Sequence, residues 1–180
     1  MNNNLTRISK FLSLVLRHKP QEIDLHLDAN GWASVQELIE KMNASGETID
    51  FDLLQAIVSA NDKKRFAFNE DKTMLRASQG HSIDVELNLK KMPPPEFLYH
   101  GTVEKFISSI QQTGLQKMSR QHVHLSGNKE TASKVGARRG NPVILQIRSG
   151  VMHADGYTFY LSENGVWLTE YVPVKYIAAF

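Results

Sequence analysis

The sequence predicts an α+β fold in two small lobes, 1–91 and 92–180. Three observations lead to it. Helical periodicity dominates up to Val58, a proline run at Pro93-Pro94-Pro95 interrupts the chain, and short segments rich in β-branched and aromatic residues follow. At 180 residues the chain is long enough for two modest cores and too short for two large ones.

In the first lobe, Leu5, Ile8, Phe11, Leu12, Val15 and Leu16 fall on one helical face, with Asn4 or Thr6 as cap. The helix stops before Lys19-Pro20, because the residue preceding proline avoids the helical region. Arg17 and His18 then stand at its C-terminal end, where the helix dipole favours cations. Asp28-Ala29-Asn30-Gly31 reads as a turn. Ser34 caps a helix carrying Val35, Leu38, Ile39 and Met42, and Asp50 or Asp52 opens a third through Leu53, Leu54, Ile57 and Val58. Arg65–Phe68 and Thr73–Arg76, joined through Asn69-Glu70-Asp71, read as a β-hairpin. Three helices and a hairpin are the layout of a winged helix, which binds nucleic acid in many proteins and only protein in many others.

Lys90-Lys91-Met92-Pro93-Pro94-Pro95-Glu96 reads as the linker, since successive prolines continue neither a helix nor a central strand. Beyond it, strands are expected at 97–99, 123–125, 142–147, 157–161, 166–168 and 174–177. Thr102 is expected to cap a helix through Val103, Phe106, Ile107 and Ile110 that Gly114 closes, and a short helix is expected at 129–135.

The bulk composition narrows the function classes. A formal net charge of +2 rules out a polycationic coat, so a polyanion must meet a local basic site. The absence of cysteine excludes disulfide and thiolate chemistry and suits a cytoplasmic location. Met1-Asn2-Asn3-Asn4 lacks the layout of a signal peptide, and no apolar run approaches the roughly 20 residues that span a bilayer. A monomer without membrane contact is expected.

Short cationic motifs recur along the chain: Arg17-His18, Lys63-Lys64-Arg65-Phe66, Arg76 with Gln79-Gly80-His81-Ser82, His100-Gly101-Thr102, His122-Val123-His124-Leu125-Ser126, and Gly136-Ala137-Arg138-Arg139-Gly140. Four of the six join Arg or His to Gly, Ser or Thr, a combination that hydrogen-bonds phosphate oxygens. Taken singly, Arg17-His18 is an ordinary helix end and Lys63-Lys64-Arg65 an ordinary charge run. His100-Gly101-Thr102 reads as a strand-to-helix junction whose amides and hydroxyl would grip an anion, or equally as a capped turn. His81, His100, His122 and His124 lack metal-ligand spacing, so no metal is expected. Dinucleotide, phosphate-loop and nucleophile-elbow signatures are absent from the sequence.

In this order the motifs resemble the RNA 2′-phosphotransferase family over nearly the whole chain. The resemblance runs from Ser13–Pro20 through Gly31-Trp32, Asn61–Phe66, Arg76–Ser82, Leu98–Thr102, His122–Ser126, Val135–Arg138 and Pro142–Leu145 to Asn164–Thr169. It implies a winged-helix RNA-binding lobe and an ADP-ribosyltransferase-like lobe of mixed β structure that takes NAD⁺ as co-substrate. It also implies a catalytic tetrad, which falls on Arg17, His18, Arg65 and Arg138, with Arg139 at a position where the family often has His. NAD⁺ contacts are expected at His100, Gly101, Thr102 and Ser126, and contacts to RNA bearing a 2′-phosphate at Arg76, Gln79 and His81. Two alternatives stay open on the sequence. One is an ADP-ribosyltransferase that caps terminal phosphates of RNA or DNA; the other is a non-catalytic winged-helix nucleic-acid binder.

Overall fold

The computed structural model describes residues 3–60 and 64–179. The chain divides into two compact units, Met1–Asn88 and Leu89–Phe180.

The first unit opens with α1 (Asn3–Arg17), which buries Ile8, Leu12, Val15 and Leu16 completely. Asn4 and Thr6 lie inside this helix and are exposed, so neither is its cap. The helix ends as expected before Pro20, which starts a 3₁₀ turn through Ile23. A short strand β1 (Ala33–Ser34) leads into α2 (Val35–Ala44), where the Glu37 amide donates to Ser34 Oγ at 3.3 Å. Asp50 caps α3 (Phe51–Ser59), its carboxylate accepting from the Leu53 amide at 2.8 Å. The hairpin β2 (Phe66–Phe68) and β3 (Met74–Ala77) pairs Phe66 with Ala77, and β1 adds to the other edge of β3 through Ala33 and Leu75. Helix and sheet faces close over one core that includes Leu38, Leu54, Phe66 and Leu75.

The second unit begins earlier than the proline run. Lys90 and Lys91 form β4 (Lys90–Lys91), which pairs with Leu161 and Tyr160. The prolines that follow are tied to this unit as well: the Pro95 carbonyl accepts from Ser149 Oγ at 2.8 Å and the Glu96 carbonyl from the Gly150 amide at 3.0 Å. Proline lacks an amide donor but keeps its carbonyl, so the segment read as the linker is tied to this unit through its acceptors. Then come β5 (Leu98–Val103), α4 (Ile107–Thr113), β6 (Leu115–Gln116), β7 (Val123–Leu125), α5 (Lys129–Gly136) and β8 (Pro142–Ile147). The unit ends with α6 (Ser149–Ala154), β9 (Phe159–Leu161), β10 (Trp167–Thr169), β11 (Tyr171–Val172) and β12 (Ile177–Ala179). Among the described residues the sheets run β4-β9-β10-β7, β12-β8-β5 and β11-β6, and every pairing is antiparallel. Helices and antiparallel strands in separate stretches are the α+β arrangement expected.

Two local expectations fail here. Thr102 is no helix cap: it lies in β5, buried and paired with Val143, and a 3₁₀ turn at Glu104–Phe106 precedes α4. Six residues of β8 run opposite β5, and a strand with a full-length partner continues past a residue that would otherwise start a helix. Val174–Tyr176, expected as strand, is a 3₁₀ turn after Pro173, and only Ile177 onward pairs with β8.

Candidate active site

In the first unit the end of α1 meets the segment that follows β3. The Ser82 amide donates to the Arg17 carbonyl at 2.9 Å, and Ser82 Oγ is hydrogen-bonded to His18 Nδ1 at 2.9 Å. Arg17 Nη2 also donates to the Arg65 carbonyl at 3.5 Å, and the Arg17 guanidinium lies 6.0 Å from the centre of the Phe66 ring. The Arg65 carbonyl accepts a second bond from the Ser78 amide at 2.9 Å, which pins the backbone where the hairpin begins. Arg76 on β3 stacks over Trp32 at 4.5 Å, a contact that holds a guanidinium plane in place. Lys63 and its neighbours Asn61 and Asp62 lie outside the described residues.

His81 sits within this group. It is 1% exposed, and among the described residues neither ring nitrogen has a hydrogen-bond partner. Burial pushes its pKa down from 6.5 to about 4, and the charges of Arg17, His18 and Arg76 act in the same direction. The structure therefore brings Arg17, His18, Arg76 and His81 into one electrostatic neighbourhood, with the Arg65 backbone bonded to it. Gln79 is buried on the same segment.

The second unit has its own cationic cluster, built on β5 and the turn after α5. His100, Gly101 and Thr102 pair with Leu145, Ile144 and Val143. His100 Nδ1 faces the His124 carbonyl at 3.0 Å; a carbonyl only accepts, so Nδ1 carries the proton and the ring is the Nδ1–H tautomer. Burial lowers the His100 pKa, the His124 bond opposes that in part, and Arg139 and Arg120 lower it further. Ser126 joins β5 through paired backbone bonds with Tyr99 at 2.9 and 2.7 Å.

Gly101 and Thr102 have a packing role. A Cβ on Gly101 would lie 1.8 Å from the Ala132 carbonyl oxygen, and one on Gly136 would lie 2.9 Å from the Thr102 carbonyl oxygen. Strand and helix approach this closely only because both positions are glycine. That contact sets where α5 ends, and so where the 3₁₀ turn Ala137–Arg139 presents Arg138 and Arg139. Both arginines are exposed, and Arg139 lies 6.0 Å from the Phe106 ring centre.

Arg120 is a member of this cluster that the sequence reading passed over. It is an exposed residue whose guanidinium is desolvated enough to lower its pKa, with Arg139 and Arg138 acting in the same direction. The signal available was its position two residues upstream of His122-Val123-His124. Among the described residues, no group of three or more His, Asp or Glu side chains is placed to hold a metal ion. Likewise, no described helix is long and apolar enough to cross a membrane.

Fold and sites together define an α+β protein of two units, each with clustered guanidinium and imidazole groups suited to phosphate-bearing ligands. The chain belongs to the RNA 2′-phosphotransferase, Tpt1/KptA, family, whose pattern it matches over residues 3–171. It is 66% identical to a probable RNA 2′-phosphotransferase of Flavobacterium johnsoniae, over 98% of each chain. It is 55% identical to one of Fusobacterium nucleatum, over 97% of this chain and 98% of that one. A third, from Burkholderia pseudomallei, is 54% identical over 96% of this chain and 94% of its own length.

Proposed function

We propose that the protein removes an internal, splice-junction 2′-phosphate from RNA by transferring it to NAD⁺. NAD⁺ is a second substrate in this reading. A 2′-phosphate oxygen bonds to C1″ of the nicotinamide ribose while the C1″–N bond breaks, and nicotinamide leaves with that electron pair. The product is RNA carrying an ADP-ribosylated 2′-phosphate. The ribose O2″ then bonds to phosphorus as the P–O2′ bond breaks, giving ADP-ribose 1″,2″-cyclic phosphate, and the O2″ proton is balanced by one taken up at the RNA 2′-oxygen.

The observation that carries the reading is the first-unit cluster, where the charges acting on buried His81 are Arg17, His18 and Arg76, all of them basic groups. Such a site favours a ligand with two or more negative charges, and a phosphate monoester supplies them. The second step places negative charge on phosphoryl oxygens, where fixed guanidiniums stabilise it most. In this reading Arg17, His18 and Arg65 clamp the 2′-phosphate, Arg76, Gln79 and His81 serve the RNA side, and His18 moves the proton. The three helices and the hairpin of the first unit support a winged-helix lobe, and the antiparallel sheets of the second an ADP-ribosyltransferase-like one.

For NAD⁺, the residues present fit a pyrophosphate-bearing substrate: the charges of Arg139 and Arg138 act on Arg120, and those of Arg139 and Arg120 on His100. Arg138 is the member carried over as the fourth catalytic residue. His100 and Ser126 offer polar atoms at the edge of β5, while Gly101 and Thr102 hold the strand against α5.

Product analysis tests the proposal. With NAD⁺ and an internally 2′-phosphorylated oligoribonucleotide, nicotinamide and the cyclic phosphate form in equal amounts. Nicotinamide release with an RNA that stays ADP-ribosylated indicates a capping enzyme instead, and RNA binding without nicotinamide release a non-catalytic binder.

A further inference from the structure

The return of the chain to α1 after β3 is short and specific. Gly80 turns it with φ 85°, His81 goes into the interior, and Ser82 comes out onto the surface. From there Ser82 makes two bonds to consecutive residues of the helix end. Its amide donates to the Arg17 carbonyl, and its hydroxyl pairs with His18 Nδ1, each at 2.9 Å. The first bond fixes the serine backbone against the same helix end that carries the imidazole. The hydroxyl is therefore delivered to Nδ1 by main-chain geometry, across 64 residues of sequence.

An imidazole without a fixed partner samples two tautomers and two ring orientations. A hydrogen bond at Nδ1 fixes the ring orientation; a serine hydroxyl both donates and accepts, so it holds Nδ1 in either tautomer and leaves the chemistry to Nε2.

We infer that Ser82 is a positioning residue for His18, fixing its ring so that Nε2 is the nitrogen through which a proton moves at the 2′-phosphate. What His18 does there rests on the phosphotransferase reading; what Ser82 does to His18 rests on geometry alone. Replacing Ser82 with alanine removes only Oγ from an exposed position and leaves the bond from its amide to Arg17, so the fold survives the change.

The test uses the full chain with ¹⁵N-labelled histidine, comparing the parent with Ser82→Ala and Ser82→Thr. In Ser82→Ala the His18 Nδ1 resonance shifts as its hydrogen bond is lost, and in Ser82→Thr, which restores the hydroxyl, it returns. Turnover follows: kcat falls roughly five- to tenfold in Ser82→Ala with little change in KM for RNA, and threonine restores most of it. Unchanged His18 resonances in Ser82→Ala overturn the inference. So does a resonance shift with unchanged kcat, or a threonine variant as impaired as the alanine one. A parent chain that releases no nicotinamide with 2′-phosphorylated RNA defeats the phosphotransferase reading, and the His18 resonances still decide the role of Ser82.

Discussion

Gly101 presses its backbone against Ala132 so closely that a Cβ added to it would lie 1.8 Å from the Ala132 carbonyl oxygen. Backbone cannot yield the way a flexible side chain can, so Gly101→Ala must drive α5 off β5. Overpacking of this kind commonly costs about 1–3 kcal/mol, and a clash this deep belongs at the upper end. Because α5 ends at the turn carrying Arg138 and Arg139, turnover should fall together with stability. Thermal unfolding of Gly101→Ala beside Gly127→Ala, where an added Cβ meets nothing within 4 Å, separates packing from a general effect of losing glycine.

His81 predicts an acid-sensitive component of stability. Its folded pKa of about 4 lies below the ordinary 6.5, so between these values the unfolded chain binds more protons than the folded one. The stabilising contribution is fully present above pH 6.5 and is lost as pH falls toward 4. Its size is on the order of 3 kcal/mol, from about 1.4 kcal/mol per pH unit. Denaturant unfolding of the parent and of His81→Gln at intervals from pH 7 to pH 4 should show the parent losing more stability by that margin. Parallel pH dependences would mean His81 does not carry it.

Arg17 and Arg65 are expected to act mainly in the second chemical step, where charge builds on phosphoryl oxygens. Alanine at either should slow that step by on the order of a hundredfold, or about 3 kcal/mol, so ADP-ribosylated RNA accumulates. Lysine should rescue poorly, since an ammonium supplies charge without the bidentate fork. A time course that separates intermediate from product is the check. Slow turnover with no intermediate at any time would place both arginines in RNA binding or in the first attack.

Arg120 should matter as much as Arg138. It acts on His100 directly, as Arg139 does, so Arg120→Ala is expected to weaken turnover at least tenfold, about 1.4 kcal/mol, largely through NAD⁺. Titration of NAD⁺ against the Arg120, Arg138 and Arg139 alanine variants ranks them. An unaffected Arg120→Ala would leave the role to the pair after α5.

What could be read from the sequence divides along a physical line. Ser34, Asp50 and Gly114 were legible because a cap or stop acts within one helical turn and needs no distant partner. Phe66–Phe68 and Met74–Ala77 were legible because the hairpin closes on itself. Thr102 was misread because its state is decided by Val143 on β8, far along the chain. Arg17, His18 and His81 were each visible as motifs, yet their grouping depends on the return of the chain at Ser82. Arg120 stood two residues before a motif but outside it, and its role comes from the charges of Arg138 and Arg139 brought near it by folding.

The measurement that bears most directly on the central claim follows a radiolabelled 2′-phosphate on an internal nucleotide, with NAD⁺ and with EDTA to remove divalent metal. The label should leave the RNA as ADP-ribose 1″,2″-cyclic phosphate, with one nicotinamide released for each 2′-hydroxyl formed. Label released as inorganic phosphate without NAD⁺, or retained on the RNA until divalent metal is restored, would contradict the account.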